Sequence, residues 1–138
     1  MKVREAMAKT VTSARKDERV IDVAKKMKQE DAGFIPVVDE GGRLIGVITD
    51  RDIVIRCIAE GHDPRNEPAE HLMSKQVTTI TPDDDIQDAA RKMEDREIRR
   101  LAVTENGRLV GVLSHGNLVQ ATRGKTAEKV TEGVTRGA

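Results

Sequence analysis

The stretch Pro36-Val-Val-Asp-Glu-Gly-Gly-Arg-Leu-Ile-Gly-Val-Ile-Thr49 is written a second time, as Leu101-Ala-Val-Thr-Glu-Asn-Gly-Arg-Leu-Val-Gly-Val-Leu-Ser114. At an offset of 65, Val38, Glu40, Gly42, Arg43, Leu44, Gly46 and Val47 return as Val103, Glu105, Gly107, Arg108, Leu109, Gly111 and Val112. Each copy is an apolar run, a turn and a second apolar run. Gly-Gly and Asn-Gly tolerate the positive φ of a tight turn, so each copy predicts a β-hairpin.

Working outward, the repeat extends upstream at an offset of 66: Met7 matches Met73, Val11-Thr12 matches Val77-Thr78, and Asp22 and Ala24 match Asp88 and Ala90. A one-residue change between the first helix and the next strand is expected to account for the shift. A short strand is expected near Val11–Ser13 and Val77–Ile80. Val20, Ala24 and Met27, and likewise Ile86, Ala90 and Met93, fall at helical spacing and predict one apolar stripe per helix. The hairpin strands are Phe34–Val38 with Leu44–Ile48, and Leu101–Val103 with Leu109–Leu113. A second helix follows each hairpin, Ile53–Glu60 closed by Gly61 and Leu118–Arg123 closed by Gly124. The fold class is therefore α/β of the α+β type: two β-α-β-β-α repeats, packed sheet against sheet about a pseudo-twofold axis. The expected organisation is repeat one over 1–61, a linker with Pro64 and Pro68 over 62–70, repeat two over 71–124, and a polar tail over 125–138.

Composition narrows the function. The 138 residues include 24 Lys plus Arg and 24 Asp plus Glu, so a net charge of zero gives no global attraction to nucleic acid or a membrane surface. With Phe34 the only aromatic residue, base stacking has no platform. No apolar run approaches the roughly 20 residues of a membrane span. The N-terminus lacks the apolar stretch of a secretory signal. Cys57 is the sole cysteine, so no disulfide framework is available and a cytoplasmic setting is expected.

With the repeat and its hairpins in view, residues 3–123 resemble the CBS-domain family, whose tandem pairs are called Bateman modules. The layout is similar to short stand-alone bacterial pairs of the hypoxic-response type. The most specific element is Gly-h-x-Ser/Thr-x-x-Asp, where h is apolar, at the end of a strand and the start of a helix. Copy one reads Gly46-Val-Ile-Thr49-Asp-Arg-Asp52 in full, and copy two reads Gly111-Val-Leu-Ser114-His-Gly-Asn117, with Asn in place of the acid.

The resemblance implies a non-enzymatic regulatory module that binds an adenosine-containing ligand (AMP, ADP, ATP, S-adenosylmethionine or NAD) in the crevice between the repeats. It implies no required cofactor, a homodimer, and a regulated protein that the sequence does not name. Asp52 would accept hydrogen bonds from the two ribose hydroxyls, and Thr49 would contact ribose or phosphate. A carboxylate suits a cis-diol because it can accept both hydroxyl protons. Arg51, inside the same motif, joins the candidates. Arg99 and Arg100, just before the copy-two strand, stand where relatives carry a basic pair that reaches phosphates. Ile35 and Pro36 would wall an adenine, and Thr12 would approach the base through its backbone. Ser114 and Asn117 form a weaker second site.

Each of these residues has a plainer reading. Thr49 and Asp52 also fit a helix N-cap, a role compatible with ligand contact. Arg99 and Arg100 fit a solvated pair answering Glu94, Asp95 and Glu97. Ile35 and Pro36 fit the core. His62, His71 and His115 have no metal-ligand spacing, so no metal site is expected. Cys57 fits an apolar stripe with Ile53 and Val54, and Asp83-Asp-Asp85 fits the start of a helix. The rival to a ligand sensor is a structural or protein-interaction module whose site is vestigial and whose dimer surface is its function.

Overall fold

The computed structural model describes residues 1–125; the tail beyond Lys125 lies outside the described residues. In chain order the elements are α1 (Val3–Ala6), β1 (Ala14–Arg15), α2 (Val20–Glu30), β2 (Phe34–Val38), β3 (Leu44–Thr49) and α3 (Asp50–Asp52). A π-helical segment (Ile53–Ile58) and a 3-10 turn (Ala69–His71) follow. β4 (Thr79–Ile80), α4 (Ile86–Arg96), β5 (Arg100–Glu105), β6 (Arg108–Ser114) and α5 (His115–Lys125) complete the chain. The mixed α/β class with two hairpins holds. Each hairpin is joined by the short strand of its own repeat, giving two three-stranded sheets ordered β1-β2-β3 and β4-β5-β6.

The chain forms two compact units. The repeat-one unit holds Thr12–Val77 with Gly107–Leu109, and the repeat-two unit holds Met1–Val11, Thr78–Asn106 and the described residues from Val110 to Lys125. In each, the core is completed by a segment that precedes the other repeat in sequence. Val3 of α1 is fully buried among Ile80, Ala89, Met93, Leu101, Val103 and Leu113. Ala69 joins Ala14, Val23, Ile35, Val37 and Ile48, while Leu72 packs on Val20 and Cys57. These entry segments also lengthen the sheets: Ala8 bridges Val112 and Ser74 bridges Val47, both antiparallel.

Four local expectations need correction. The register change does not sit between helix and strand. β1 pairs in parallel with β2 as Ala14↔Val37, and β4 with β5 as Ile80↔Val103, so the offset of 66 persists through both strands. The extra residue is absorbed in the first hairpin, where the pairing shifts between Val37 and Val38 and Asp39–Arg43 form a longer turn than Asn106–Gly107. In that turn Asp39 Oδ1 accepts from the N–H groups of Gly41 and Arg43, both at 2.9 Å, and Gly42 takes φ +83°. Second, the buried helix stripes are Val20, Val23, Met27 and Ala89, Met93, so Val23 and Ala89 take the places expected of Ala24 and Ala90. The i, i+3, i+7 line faces the sheet, and Ala90 is exposed.

Third, the first strand begins at Ala14 rather than within Val11–Ser13, because Ala14 is the residue that finds a backbone partner in β2. Fourth, α5 runs through Gly124 to Lys125 instead of closing there. Gly61, at φ +78°, does end the π-helical segment, its N–H donating to Ile58 O at 3.1 Å.

Candidate functional site

In repeat one, β3 passes directly into α3, and Thr49 is the N-cap. Its Oγ1 accepts from the Asp52 N–H at 3.2 Å, while Asp52 Oδ2 accepts from the Thr49 N–H at 2.9 Å. This reciprocal box is the capping arrangement that the spacing allowed. It occupies one carboxylate oxygen only. Asp52 Oδ1 lies 3.8 Å from Arg56 Nε, an ion-pair distance but not a hydrogen bond, and the Asp52 side chain is 17 % exposed. The junction therefore keeps an acceptor available to a ligand.

The neighbours fall at the same end of the sheet. Phe34 pairs with Thr49 and Ile35 with Ile48. Ile35 is 1 % exposed within the core, and Pro36 is equally enclosed, so both side chains serve packing. Thr12, half-buried, stands two residues before Ala14; because β1 and β2 are parallel, it enters at the Phe34 end of the sheet. Arg51 is exposed, and its N–H donates to Asp50 Oδ1 at 2.9 Å.

Repeat two builds the same box from Ser114 and Asn117. Ser114 Oγ accepts from the Asn117 N–H at 3.0 Å, and Asn117 Oδ1 accepts from the Ser114 N–H at 2.9 Å. Arg99 is exposed on the bend before β5, its carbonyl accepting from the His115 N–H at 2.7 Å, and Arg100 is the first residue of β5. Among the described residues neither arginine forms an ion pair with Glu94, Asp95 or Glu97. Thr49 and Asp52 belong to one unit, and Arg99 and Arg100 to the other.

Cys57 is fully buried beside Val20 and Leu72. Burial, reinforced by Glu67 and Asp63, pushes its thiol up and suppresses the thiolate a nucleophile would need. Val54, expected on the same stripe, instead faces outward at 57 % exposure, with Ile55 and Ile58 beside it at 47 % and 54 %. The hydrogen bonding of a π-helix widens its turn, which a 3.6-residue stripe read from sequence does not anticipate.

Three further features were not read from sequence. A cavity of about 470 Å³ opens at the hairpin end of the repeat-one sheet, lined by Arg15, Lys16, Asp39 and Ile45 among others, far from Thr49 along β3. There the N–H groups of Arg43, then of Gly41, hold the Asp39 carboxyl below the usual carboxylate range. In the linker, Glu67 receives two imidazoles, His71 Nδ1 at 2.6 Å and His62 Nδ1 at 3.5 Å. The third is the outward apolar patch just described. Among the described residues no group of three or more His, Cys, Asp or Glu is arranged to hold a metal. No described helix is long and apolar enough to cross a membrane.

The CBS-domain family model matches residues 3–58 and 69–124. Hypoxic response protein 1 of Mycobacterium tuberculosis is 32 % identical over 117 residues, 85 % of this chain and 82 % of that protein. The crystal structure of Hypoxic Response Protein I with two coordinated zinc ions superimposes with a TM-score of 0.81 at 31 % identity, covering 87 % of this chain and 98 % of that one. The two zinc ions are those of that protein. The CBS domain pair of MJ0100, crystallised with 5′-methylthioadenosine and S-adenosyl-L-methionine, gives a TM-score of 0.79 at 25 % identity, covering 91 % and 98 %. The uncharacterized protein MK0525 of Methanopyrus kandleri is 32 % identical over 119 residues, 86 % of this chain, but the chain spans only 61 % of its length. Two matched segments with the same element order and the same strand–helix junction place this chain in the CBS-domain family, as a tandem pair.

Proposed function

We propose that this chain is a regulatory ligand-binding module whose repeat-one junction takes the ribose of an adenosine-containing small molecule, with Asp52 and Thr49 as the contacts. The observation that carries this reading is the half-used carboxylate. Asp52 spends Oδ2 on the Thr49 N–H and leaves Oδ1 without a hydrogen bond at a partly exposed position. A cis-diol donates two hydrogen bonds and fits an acceptor that is already oriented by its own helix start. The adenosine ligands held by the MJ0100 pair support the choice of ligand class. Ligand binding would act on a partner or on self-assembly by favouring one of two states, which requires different affinity for the two.

A second reading has its own observation. Val54, Ile55 and Ile58 form an outward apolar patch on the repeat-one helix, the surface expected of a homodimer or a docking module. The two readings are compatible, and each has a separate test.

The ligand test is thermal unfolding followed by an added dye, because the chain has neither Trp nor Tyr. AMP, ADP, ATP, S-adenosylmethionine and NAD are screened against wild type and Asp52→Asn. Asparagine keeps an oxygen for the Thr49 N–H and so preserves both halves of the capping box, whereas alanine would leave the Thr49 cap and remove the reciprocal bond at a cost of about 1 kcal/mol. A ligand present at 100 times its dissociation constant is expected to stabilise wild type by about 2.7 kcal/mol and the variant by far less. A well-folded wild type that no ligand stabilises at millimolar concentration would sink the sensor reading.

A further inference from the structure

The entry segments dock on their repeats through matching backbone contacts. In repeat one the Ala69 N–H donates to Glu18 O at 2.7 Å, and the Glu70 N–H to Lys16 O at 2.8 Å. At the offset of 66 the same pair recurs in repeat two: Val3 N–H to Asp84 O at 2.8 Å, and Arg4 N–H to Pro82 O at 2.9 Å. The two places therefore correspond residue for residue, and their side chains can be compared directly. In repeat two, Arg4 Nε donates to Asp83 Oδ1 at 3.2 Å, and Lys2 Nζ lies 3.5 Å from the same oxygen. Asp83, first by its hydrogen bond and then by its charge, raises the Arg4 pKa, and Glu105 at the end of β5 adds to it. A guanidinium thus sits by one acid of the loop before the helix and near another of the hairpin.

Repeat one keeps the acids and loses the cations. Asp17 stands in the place of Asp83, while Asp39 and Glu40, at offsets of 66 and 65, stand in the place of Glu105. Pro68 and Glu70 replace Lys2 and Arg4. All three of these repeat-one acids, Asp17, Asp39 and Glu40, line the cavity of about 470 Å³. Asp39 spends Oδ1 on the turn amides. Among the described residues the side chains of Asp17 and Glu40 have no ion-pair partner, and neither have those of Arg15 and Lys16, which line the same cavity. Val38 and Ile45 add an apolar wall. A simple cation would meet Arg15 and Lys16, and a simple anion would meet the acids. A molecule that carries both charges on an apolar stem answers each of them. The volume falls within the range of about 300–1,000 Å³ usual for small-molecule sites. We propose that the repeat-one cavity binds a free basic amino acid, its cationic end at Asp17 and Glu40, where repeat two holds its own arginine, and its carboxylate at Arg15 and Lys16. This site shares no residue with the Thr49–Asp52 junction, so each can fail without the other.

The test is calorimetric titration of the full chain at fixed ionic strength with three probes. L-arginine carries both charges, L-citrulline exchanges the guanidinium for an uncharged urea, and agmatine lacks the carboxylate. Wild type is expected to bind arginine with a dissociation constant of about 1 mM or below, and each analogue at least about 10-fold more weakly. Asp17→Asn/Glu40→Gln and Arg15→Gln/Lys16→Gln are each expected to lose at least about 10-fold in arginine affinity, the second without loss of agmatine affinity. All four side chains are exposed, and an unchanged unfolding midpoint verifies the fold. Glu70→Arg restores the cation that repeat two carries as Arg4, and it is expected to abolish arginine binding by meeting the acids itself. Wild type that shows no saturable arginine binding up to about 10 mM, or that binds citrulline as tightly as arginine, overturns the site. Agmatine binding equal to that of arginine overturns the carboxylate contact and with it the amino-acid class. Arginine binding that survives both Asp17→Asn/Glu40→Gln and Glu70→Arg overturns the placement in this cavity.

Discussion

Gly46→Val is expected to lower the unfolding free energy by about 3 kcal/mol, near the upper end of what overpacking costs. A Cβ at this position would stand 2.8 Å from Met73 Sδ and 2.9 Å from the Ser74 carbonyl oxygen. The methionine is flexible and can yield. The carbonyl cannot, because Ser74 and Val47 exchange two backbone hydrogen bonds, at 2.9 and 3.0 Å, that fasten the entry segment to β3. Relief of the clash requires breaking that pair and drawing Leu72, 2 % exposed, away from Val20 and Cys57. Gly111 repeats the arrangement, with the Ala8 carbonyl and Met7 Sδ both 2.8 Å from an added Cβ, and Gly111→Val should behave alike. Gly41→Ala serves as the control, since its Cβ would meet only Asp39 Oδ1 at 3.5 Å. Denaturant unfolding measures all three. A loss below about 1 kcal/mol at both core glycines would mean that the entry segments adjust freely and do not define the junctions.

Those glycines show what was legible in sequence and what was not. The repeat, the hairpins and the Gly-h-x-Ser/Thr-x-x-Asp element were all visible, because each is a local pattern with a local cause. The reason for the glycine was not, since it lies in a segment 27 or 103 residues away along the chain that only the folded unit brings into contact (46 to 73 and 111 to 8). The register change was misplaced for a related reason. Val38 and Val103 are identical in type and align by eye, but the bulge at Val37/Val38 makes Val37 the partner-equivalent of Val103. Identity at a β-branched position carries little information about register, whereas cross-strand partners define it.

At the candidate site, Thr49 and Asp52 were legible as a pair because a capping box and a ribose contact call for the same two residue types. Sequence could not say how many carboxylate oxygens the box consumes. The geometry leaves Oδ1. Ile35 and Pro36 were ambiguous between wall and core, and their burial accounts for packing. The outward patch escaped notice because Val54 and Cys57 share an apolar stripe only on a regular α-helix. The π-helical turn sends Cys57 inward and Val54 outward.

That patch carries the other large prediction. Ile55→Glu/Ile58→Glu is expected to weaken a homodimer of this chain at least about 100-fold, equivalent to about 2.7 kcal/mol, while leaving the stability of the unit within about 0.5 kcal/mol. Ile55 and Ile58 are 47 % and 54 % exposed, so charge placed there is solvated in the monomer and costs little. In an isologous contact the same patch faces itself, and each substitution brings two carboxylates into an apolar interface, where desolvation and like-charge repulsion act together. The equivalent positions of repeat two argue that the patch is a particular feature of repeat one. Val54, Ile55 and Ile58 correspond at an offset of 65 to Val119, Gln120 and Arg123, of which Val119 is 7 % exposed and the others are polar. Sedimentation equilibrium separates a 15.2 kDa monomer from a dimer of twice that mass. Val54, at 57 % exposure, offers a third position: Val54→Asp should add to the effect rather than replace it. A wild type that stays monomeric at 100 micromolar, a dimer untouched by the double variant, or a variant that unfolds would each remove this face from the assembly. A dimer that the variant dissociates without altering ligand-induced stabilisation would show that recognition and assembly reside in separable parts of the same repeat.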